Sequence, residues 1–386
     1  MDSLKYFKTT TQIAYGINGL KEVKTIIDEQ QFQKVLIVTD KGISETGIID
    51  SLLTHVKHIE YEIYNGCQPN PTVANCYEAL NQLKEMEAEA IIAIGGGSSL
   101  DVAKAIALLA TNGGKIESYE GIDTFSKDLL PLIAIPTTAG TASEITNFTV
   151  ITDEEREYKF TIGGVRLAPK WAVIDPVVTL TLPPHITAAT GLDALVHAIE
   201  SYTSKMANFI TKTLAREAIR KISSNLRQAV HNGNTLKYRD EMMMGSLLAG
   251  LAFNNTRLGN CHALSHPVSA IYHVPHGVAN AILIPHVMKF NVPAVPELYA
   301  DIAEDMGEIL ENLTLMEKAE KAVEAVSKLA QDIGIPTDFR SYNVDDSQLD
   351  KMTEDALLSG NIAVNPRVTK HDDVIYLYKQ AIGGEQ

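Results

Sequence analysis

The sequence predicts two units of different class. One is an α/β unit with a parallel sheet over residues 1–183, and the other is an all-helical unit over residues 184–386. Three observations predict this division. Up to about residue 182, short apolar runs rich in β-branched residues alternate with helical periodicities. At Leu182-Pro183-Pro184 the alternation stops. From Ile186 onward almost every window repeats its apolar residues with the period of a helix. A chain of 386 residues can supply a core for each unit.

The elements follow in order. Lys34–Thr39 (KVLIVT) is an uninterrupted strand run ending at Asp40, and Ile59–Tyr64 alternates as a strand. Thr72–Glu87 has helical periodicity. Ala90–Ile94 (AIIAI) is a strand running into Gly95, and Ser98–Ala110 is a helix with Ser98 as its N-cap. Pro131–Ile135 is a further strand that ends in Pro136. Strands that are apolar throughout and alternate with helices imply a parallel sheet covered on both faces. Thr146–Thr161, with Trp171–Ile174, reads as a β excursion before the unit ends. The second half reads as helices over 186–203, 209–231, 237–254, 260–271, 277–290, 295–311, 313–333, 346–360 and 371–382.

Composition narrows the function. With a net charge of −15 and a pI near 5.2, the chain repels phosphate backbones, so nucleic acid is not an expected partner. Three cysteines, Cys67, Cys76 and Cys261, fall in no paired spacing and imply no disulfide framework, which fits a reducing cytoplasm. The N-terminal residues lack the apolar core of a secretory signal. No run approaches the roughly 20 apolar residues needed to span a bilayer. The expected setting is therefore cytoplasmic, with no membrane partner.

Three predicted strands end in loops that suit a nucleotide. The first ends at Asp40, the second at Gly95-Gly96-Gly97-Ser98, followed by Asp101 and Lys104, and the third at Pro136-Thr137-Thr138-Ala139-Gly140-Thr141. In open α/β sheets, ligands bind outside the carboxyl ends of strands. The glycine run lets backbone approach a pyrophosphate, and the helix behind it aims free N–H groups at the anion. Threonine hydroxyls can bond phosphate, ribose or a nicotinamide amide. The spacing is not the usual fingerprint, because GxGxxG is absent and Asp40 precedes the glycine loop. An isolated GGGS would suit a plain strand-to-helix turn; three such loops together point to a dinucleotide. A carboxylate at Asp40 would repel a 2′-phosphate, which favours NAD over NADP.

Histidines mark a second site. Gly259–His286 carries five of the eleven: His262, His266, His273, His276 and His286. Upstream, Asp193 and His197 stand four apart on one helix face. Asp193 is the only formally charged residue between Ile186 and Ile199, in a helix that is apolar nearly all round. A lone buried carboxylate is costly unless a cation compensates it. The plainer reading pairs Asp193 with His197 alone. The chemical reading is one divalent ion held by Asp193, His197, His262 and His276, a carboxylate–imidazole set suited to a borderline metal. His262 and His266 are also four apart, so spacing leaves open which is the ligand and which a proton relay. Cys261 reads as a small core residue, His273 as a local hydrogen-bonding residue and His286 as a packed one. Phe148 and Phe253 are candidate substrate-pocket walls, with plain core as the alternative.

These motifs resemble a family. IAIGGGSSLDVAK, IPTTAGTASE, GLDALVHAIESY and CHALSHPVSAIYHVPHGVANAILIPHV, in that order, are similar to the iron-dependent (group III) alcohol dehydrogenases. The likeness covers essentially the whole chain, including Asn70 in Gln68-Pro69-Asn70-Pro71 and the late Asn365-Pro366-Arg367. The resemblance implies a Rossmann-like NAD domain, a helical metal domain and an active site in the cleft between them. It implies Asp193, His197, His262 and His276 as ligands of Fe2+, with Zn2+ the alternative. It places His266 near the nicotinamide and matches Asp40, Thr141 and Lys159 to cofactor positions; with the strand-end loops, the candidate cofactor residues are Asp40, Asn70, Gly96, Gly97, Ser98, Asp101, Thr137, Thr138, Thr141 and Lys159. It further implies a homodimer or higher homo-oligomer, and metal-assisted hydride transfer between a small alcohol and its aldehyde. Within the family, the 1,3-propanediol and lactaldehyde-reducing members look most alike. Two departures stand out: Ala142 and Ser269 occupy positions where glycine is frequent. A lyase of the dehydroquinate-synthase type has the same general architecture, but would gather several basic residues around a phosphate-bearing substrate, and no such gathering is seen near these motifs. A catalytically silent NAD-binding protein would have no use for the ligand set.

Overall fold

The computed structural model describes residues 4–383, which group into two compact units. The first comprises Thr9–Leu182; the second comprises the described residues from Pro183 onward together with those ahead of Thr9. In that second unit Lys5 Nζ donates to the Ala207 carbonyl (2.5 Å), and the Lys8 backbone N–H donates to the Asn255 side chain at 2.6 Å.

The first unit is built on a parallel sheet of six strands. In chain order these are β1 (Gln12–Tyr15), β2 (Lys34–Asp40), β3 (Glu60–Cys67), β4 (Ala90–Gly95), β6 (Leu132–Pro136) and β9 (Trp171–Ile174). In space the order is β1-β9-β6-β4-β2-β3. Trp171–Ile174 is thus no excursion, as the sequence reading had it; β9 pairs in parallel with both β1 and β6 and completes the main sheet. The excursion is a small sheet of β5 (Gly121–Ile122), β7 (Phe148–Asp153) and β8 (Tyr158–Gly163). Alternation along the main strands covers both faces. Leu36, Val38, Ile91 and Ala134 enter one core cluster, and Val35, Ile37, Ile92 and Ile133 enter the other. Helices α1 (Lys21–Gln30) and α3 (Ile48–Val56) pack on the second cluster, and α4 (Val73–Glu85) and α5 (Gly97–Asn112) on the first. A four-residue turn, α2 (Lys41–Ser44), follows β2. The chain leaves β2 for β3 on one side and returns to β4 on the other. The carboxyl ends of β2 and β4 therefore flank a topological switch point, where α/β sheets bind ligands.

Helix α5 begins one residue earlier than predicted. Its N-cap is Gly96, in extended backbone, so Ser98 lies inside the first turn and is not the cap.

The second unit contains, among the described residues, α6 (Pro184–Thr203), α7 (Phe209–His231), α8 (Leu236–Thr256), α9 (Asn260–Tyr272), α10 (His276–Asn291), α11 (Pro296–Asp305), α12 (Leu315–Asp332), α13 (Leu349–Leu358) and α14 (His371–Ile382). From Gly191 to Thr203 every residue of α6 is buried, which makes it the central helix. Helix α11 is shorter than predicted, because Gly307 turns into the left-handed region (φ 86°) just past its end. No helix among the described residues is long and apolar enough to cross a membrane.

Candidate active site

The metal candidates come from three helices of the second unit. Asp193, His197 and Glu200 follow one another at i, i+4 and i+7 on α6, and all three are buried. His262 and His266 lie on α9, and His276 opens α10 behind Pro275. Gly277 lets α10 reach α6: a Cβ there would stand 2.4 Å from the Ala189 carbonyl oxygen. Any larger residue would push His276 away from Asp193.

Asp193, His262 and His276 offer ligand atoms that all lie within 4.8 Å of one another. Asp193 Oδ1 is 3.5 Å from His262 Nε2 and 3.9 Å from both His276 Nε2 and His197 Nε2. Ligands about 2.1 Å from a tetrahedral ion stand about 3.4 Å apart, so this spacing fits one divalent cation. His197 stands outside the tightest set. Its ring stacks between Phe253 (centroids 4.4 Å apart) and His262 (4.6 Å). Phe253 is buried against a candidate ligand ring, and Phe148 begins β7 of the other unit with its carbonyl accepting from Lys104 Nζ at 2.7 Å. His266 is half-buried, its ring 5.3 Å from that of His276. His273 is exposed at the left-handed end of α9.

Two residues absent from the sequence reading complete the cluster. Glu200 Oε2 lies 2.6 Å from His262 Nδ1, and its Oε1 accepts from the Cys261 backbone N–H at 2.6 Å. A carboxylate at that distance keeps the Nδ1 proton in place and turns the Nε2 lone pair inward, the arrangement common behind metal-bound histidines. Asn280, one turn after His276 on α10, places its amide nitrogen 2.7 Å from Asp193 Oδ1. The α6 spacing could have found Glu200, which continues the Asp193–His197 face. Asn280 gave no such signal, because an amide is not a ligand type for such an ion.

The electrostatics favour positive charge here. Burial pushes the Asp193 carboxyl upward, but the imidazoles of His197, His276 and His262 outweigh it and hold the group ionised. Burial pushes His262 down, while Asp193 and Glu200 together raise it to about 9. The same lone pair that attracts a proton would attract a metal ion.

In the first unit the three predicted loops do meet. Ser99 Oγ donates to Asp40 Oδ2 across the switch point at 3.3 Å, while Asp40 Oδ1 accepts from the Ile43 N–H at 2.9 Å. Gly97 abuts Thr141, whose side chain would lie 2.7 Å from a Cβ at that position, and Gly96 faces Thr138 at 3.5 Å. Thr137 N–H donates to the Gly95 carbonyl at 2.9 Å. The hydroxyls of Thr39 and Thr137 are buried at two of these strand ends with no partner among the described residues. Such unspent hydroxyls, beside backbone held close by glycine, fit a polar ligand. Ser98 sits in the first turn of α5, where its free N–H groups gather.

Asp101 is differently placed. Its carboxylate accepts from Ser143 Oγ at 2.5 Å and from the Val150 N–H at 3.0 Å, so it ties α5 to the threonine loop and β7. Lys104 is fully buried, with Nζ donating to Thr146 Oγ1 at 3.0 Å. Burial lowers Lys104 to about 8 and raises Glu144 to about 7. Lys159 Nζ donates to Asn70 Oδ1 at 2.7 Å, and burial lowers this lysine to about 8 against the pull of Asp101. Ala142, the departure in the threonine loop, has φ 52°, a left-handed conformation that suits glycine and strains alanine.

Comparison with known proteins covers both units. Residues 10–176 match the profile of the iron-containing alcohol dehydrogenases, and residues 187–382 that of the C-terminal region of the Fe-containing alcohol dehydrogenase family. The chain is 44% identical over 353 residues to 1,3-propanediol dehydrogenase of Citrobacter freundii, covering 90% of this chain and 91% of the relative. It is 39% identical over 371 residues to lactaldehyde reductase of Escherichia coli K12, covering 95% and 97%. The crystal structure of a 1,3-propanediol oxidoreductase superposes with a TM-score of 0.95 at 41% identity, covering 98% of this chain and all (100%) of that one.

Proposed function

The chain belongs to the iron-containing alcohol dehydrogenase family, and from that premise we propose that it interconverts a short primary alcohol or diol with its aldehyde. It is an NAD-linked, iron-type oxidoreductase. The observation that carries the reading is the convergence of Asp193 Oδ1, His262 Nε2 and His276 Nε2 from three helices, with His197 3.9 Å from the same carboxylate. In this reading Asp193, His197, His262 and His276 hold the ion, Fe2+ by family habit and Zn2+ as the tighter-binding alternative.

When bound, the metal would supply Lewis acidity toward an alcohol or carbonyl oxygen, and NAD would supply the hydride acceptor or donor. The chain's own residues do the rest. Glu200 keeps the His262 proton on Nδ1 so that Nε2 faces inward. Phe253 holds the His197 ring plane and keeps its assignment as a pocket wall beside the candidate metal site. Phe148 keeps its assignment as a pocket wall. His266, beside His276, takes the hydroxyl proton and passes it to solvent. Gly96, Gly97 and the N–H groups near Ser98 cradle the pyrophosphate. Thr137, Thr138 and Thr141 supply hydroxyls, Asp40 meets the adenosine ribose, and Lys159, oriented by Asn70, lines the cofactor. Asp101 acts indirectly, by holding the threonine loop. Three buried free thiols support a reducing cytoplasm, and family likeness supports a homodimer or larger assembly.

The test is a panel of 1,3-propanediol, 1,2-propanediol, ethanol and butanol with NAD and anaerobically reconstituted Fe2+ enzyme, read by NADH absorbance. The reading expects turnover with at least one short alcohol or diol. No turnover with any of them, in either direction, would reject it.

A further inference from the structure

Helix α9 has no side-chain cap of its own. Its N-cap is Gly259, which has nothing to offer the N–H groups of the first turn. Two side chains from elsewhere in the same unit supply the acceptors. Asn365 Oδ1 accepts from the Asn260 N–H at 3.3 Å, and Glu200 Oε1 accepts from the Cys261 N–H at 2.6 Å. The next residue is His262. Gly259 makes room for both visitors: a Cβ there would stand 2.9 Å from Glu200 Oε1 and 3.2 Å from Asn365 Oδ1. Asn365 opens the late Asn365-Pro366-Arg367, a motif to which the proposed chemistry gives no part.

The Asn365 amide is buried and fully used. Its oxygen accepts from the Asn260 N–H and from Asn291 Nδ2 at 3.1 Å. Its NH2 donates to Asn291 Oδ1 at 2.8 Å and to the Arg367 carbonyl at 2.7 Å. Two lone pairs and two hydrogens are thereby all engaged. The orientation is fixed, because reversing the amide would set NH2 against the Asn260 N–H and oxygen against the Arg367 carbonyl. Asn291 is the last residue of α10, and Arg367 grips the residue before it. Its guanidinium lies 3.9 Å over the Phe290 ring and donates to the Phe290 carbonyl at 2.7 Å. Asn365 is thus anchored on the end of α10 and presents an acceptor to the start of α9. His262 is the third residue of α9, and with 3.6 residues per turn it belongs to the turn that Asn365 caps. If that turn frays or rotates, the His262 ring moves with it.

We propose that Asn365 is a positioning residue for His262: it caps α9 from outside the helix and so fixes the backbone from which His262 Nε2 reaches to 3.5 Å from Asp193 Oδ1. The proposal rests on the assignment of His262 and Asp193 as metal ligands. Glu200 and Asn365 divide the task. Glu200 holds the ring through Nδ1, and Asn365 holds the turn that carries the ring. A ligand whose backbone is held in place loses less conformational freedom when a metal binds.

The experiment uses full-length metal-free enzyme and the metals alone. Zn2+ affinity is measured by competition with a chelating dye, and the Co2+ visible spectrum reports ligand geometry. Wild type is compared with Asn365→Leu, which keeps most of the volume without an acceptor, and with Asn365→Asp, which keeps an acceptor for the Asn260 N–H and loses the donors. Asn365→Ala serves if the leucine variant does not fold. The expected result for the leucine or alanine variant is a loss of Zn2+ affinity of about tenfold, with a weakened or shifted Co2+ band. Asn365→Asp should bring both readouts back toward wild type, even with a lowered melting temperature. A role limited to packing would lower the melting temperature of a folded leucine or alanine variant and leave Zn2+ affinity and the Co2+ band unchanged, and that outcome overturns the proposal. An aspartate variant as impaired in metal binding as the leucine variant also overturns it, because the loss would then not follow the acceptor. If wild type takes up Co2+ no better than an Asp193→Asn control, the ligand assignment itself fails, which is a distinguishable result.

Discussion

Replacing Glu200 with glutamine changes one atom and should loosen the metal. Glu200 accepts two hydrogen bonds in a dry setting, each 2.6 Å long, from Cys261 N–H and His262 Nδ1. A glutamine can accept at one of these positions only; at the other its NH2 would face a donor. One buried, charge-assisted bond is lost, worth about 1.5–3 kcal/mol. Part of that loss falls on the metal-free fold and part on metal binding, because His262 becomes free to carry its proton on Nε2. Loss of such a supporting carboxylate typically weakens a metal site about 10- to 100-fold. The assay is the half-time of activity under excess EDTA, with the apo melting temperature as control. Glu200→Gln should lose activity about tenfold faster or more. A half-time equal to that of wild type, in a variant that folds, would refute the argument that Glu200 orients His262.

Other expectations follow from the first unit. Glu144 is raised from 4.5 to about 7 by burial, so the folded state holds a proton that the unfolded state has released in that interval. Stability without cofactor should therefore fall as pH rises from 4.5 to about 7, and Glu144→Gln should flatten the fall and add on the order of 3 kcal/mol at pH 8. Urea unfolding across that range checks it; a parallel pH profile in wild type and variant would contradict it. Asp40→Ser should raise the ratio of kcat/KM for NADP over NAD by about tenfold or more, by removing a carboxylate that opposes a 2′-phosphate. An unchanged ratio would show that Asp40 does not meet the ribose. Ser269 carries a buried hydroxyl with no partner among the described residues, so Ser269→Ala should stabilise the protein by about 1 kcal/mol in the same urea assay.

Much of this was legible in the residues, for identifiable reasons. Helices at 209–231 and 371–382 were readable to their ends because their apolar faces repeat cleanly and polar residues open them. Strand Ala90–Gly95 is buried on both faces and therefore apolar at every position. The place of Trp171–Ile174 was not legible, since sheet order is set by crossovers and not by proximity in sequence. Strand β1 is four residues long and only partly buried, too weak a pattern to register. The start of α5 was misplaced because Gly96 takes the capping position through backbone conformation, without a side chain to mark it. At the site, the buried carboxylate Asp193 stood out against its apolar helix, and the histidines stood out by type. Spacing alone could not separate His262 from His266; in the fold His262 faces Asp193 and Glu200. The place of Asn280 and the stacking of Phe253 on His197 depend on which faces of α8, α9 and α10 meet α6, and that is a tertiary fact.

The central claim is that one metal ion, held through Asp193 and His262, makes this chain an alcohol dehydrogenase. The most direct measurement is His262→Ala, assayed for bound metal, for NADH binding and for alcohol oxidation in the same preparation. The account predicts that metal and turnover disappear together while NADH still binds. Metal-free His262→Ala protein turning over at the wild-type rate would contradict it.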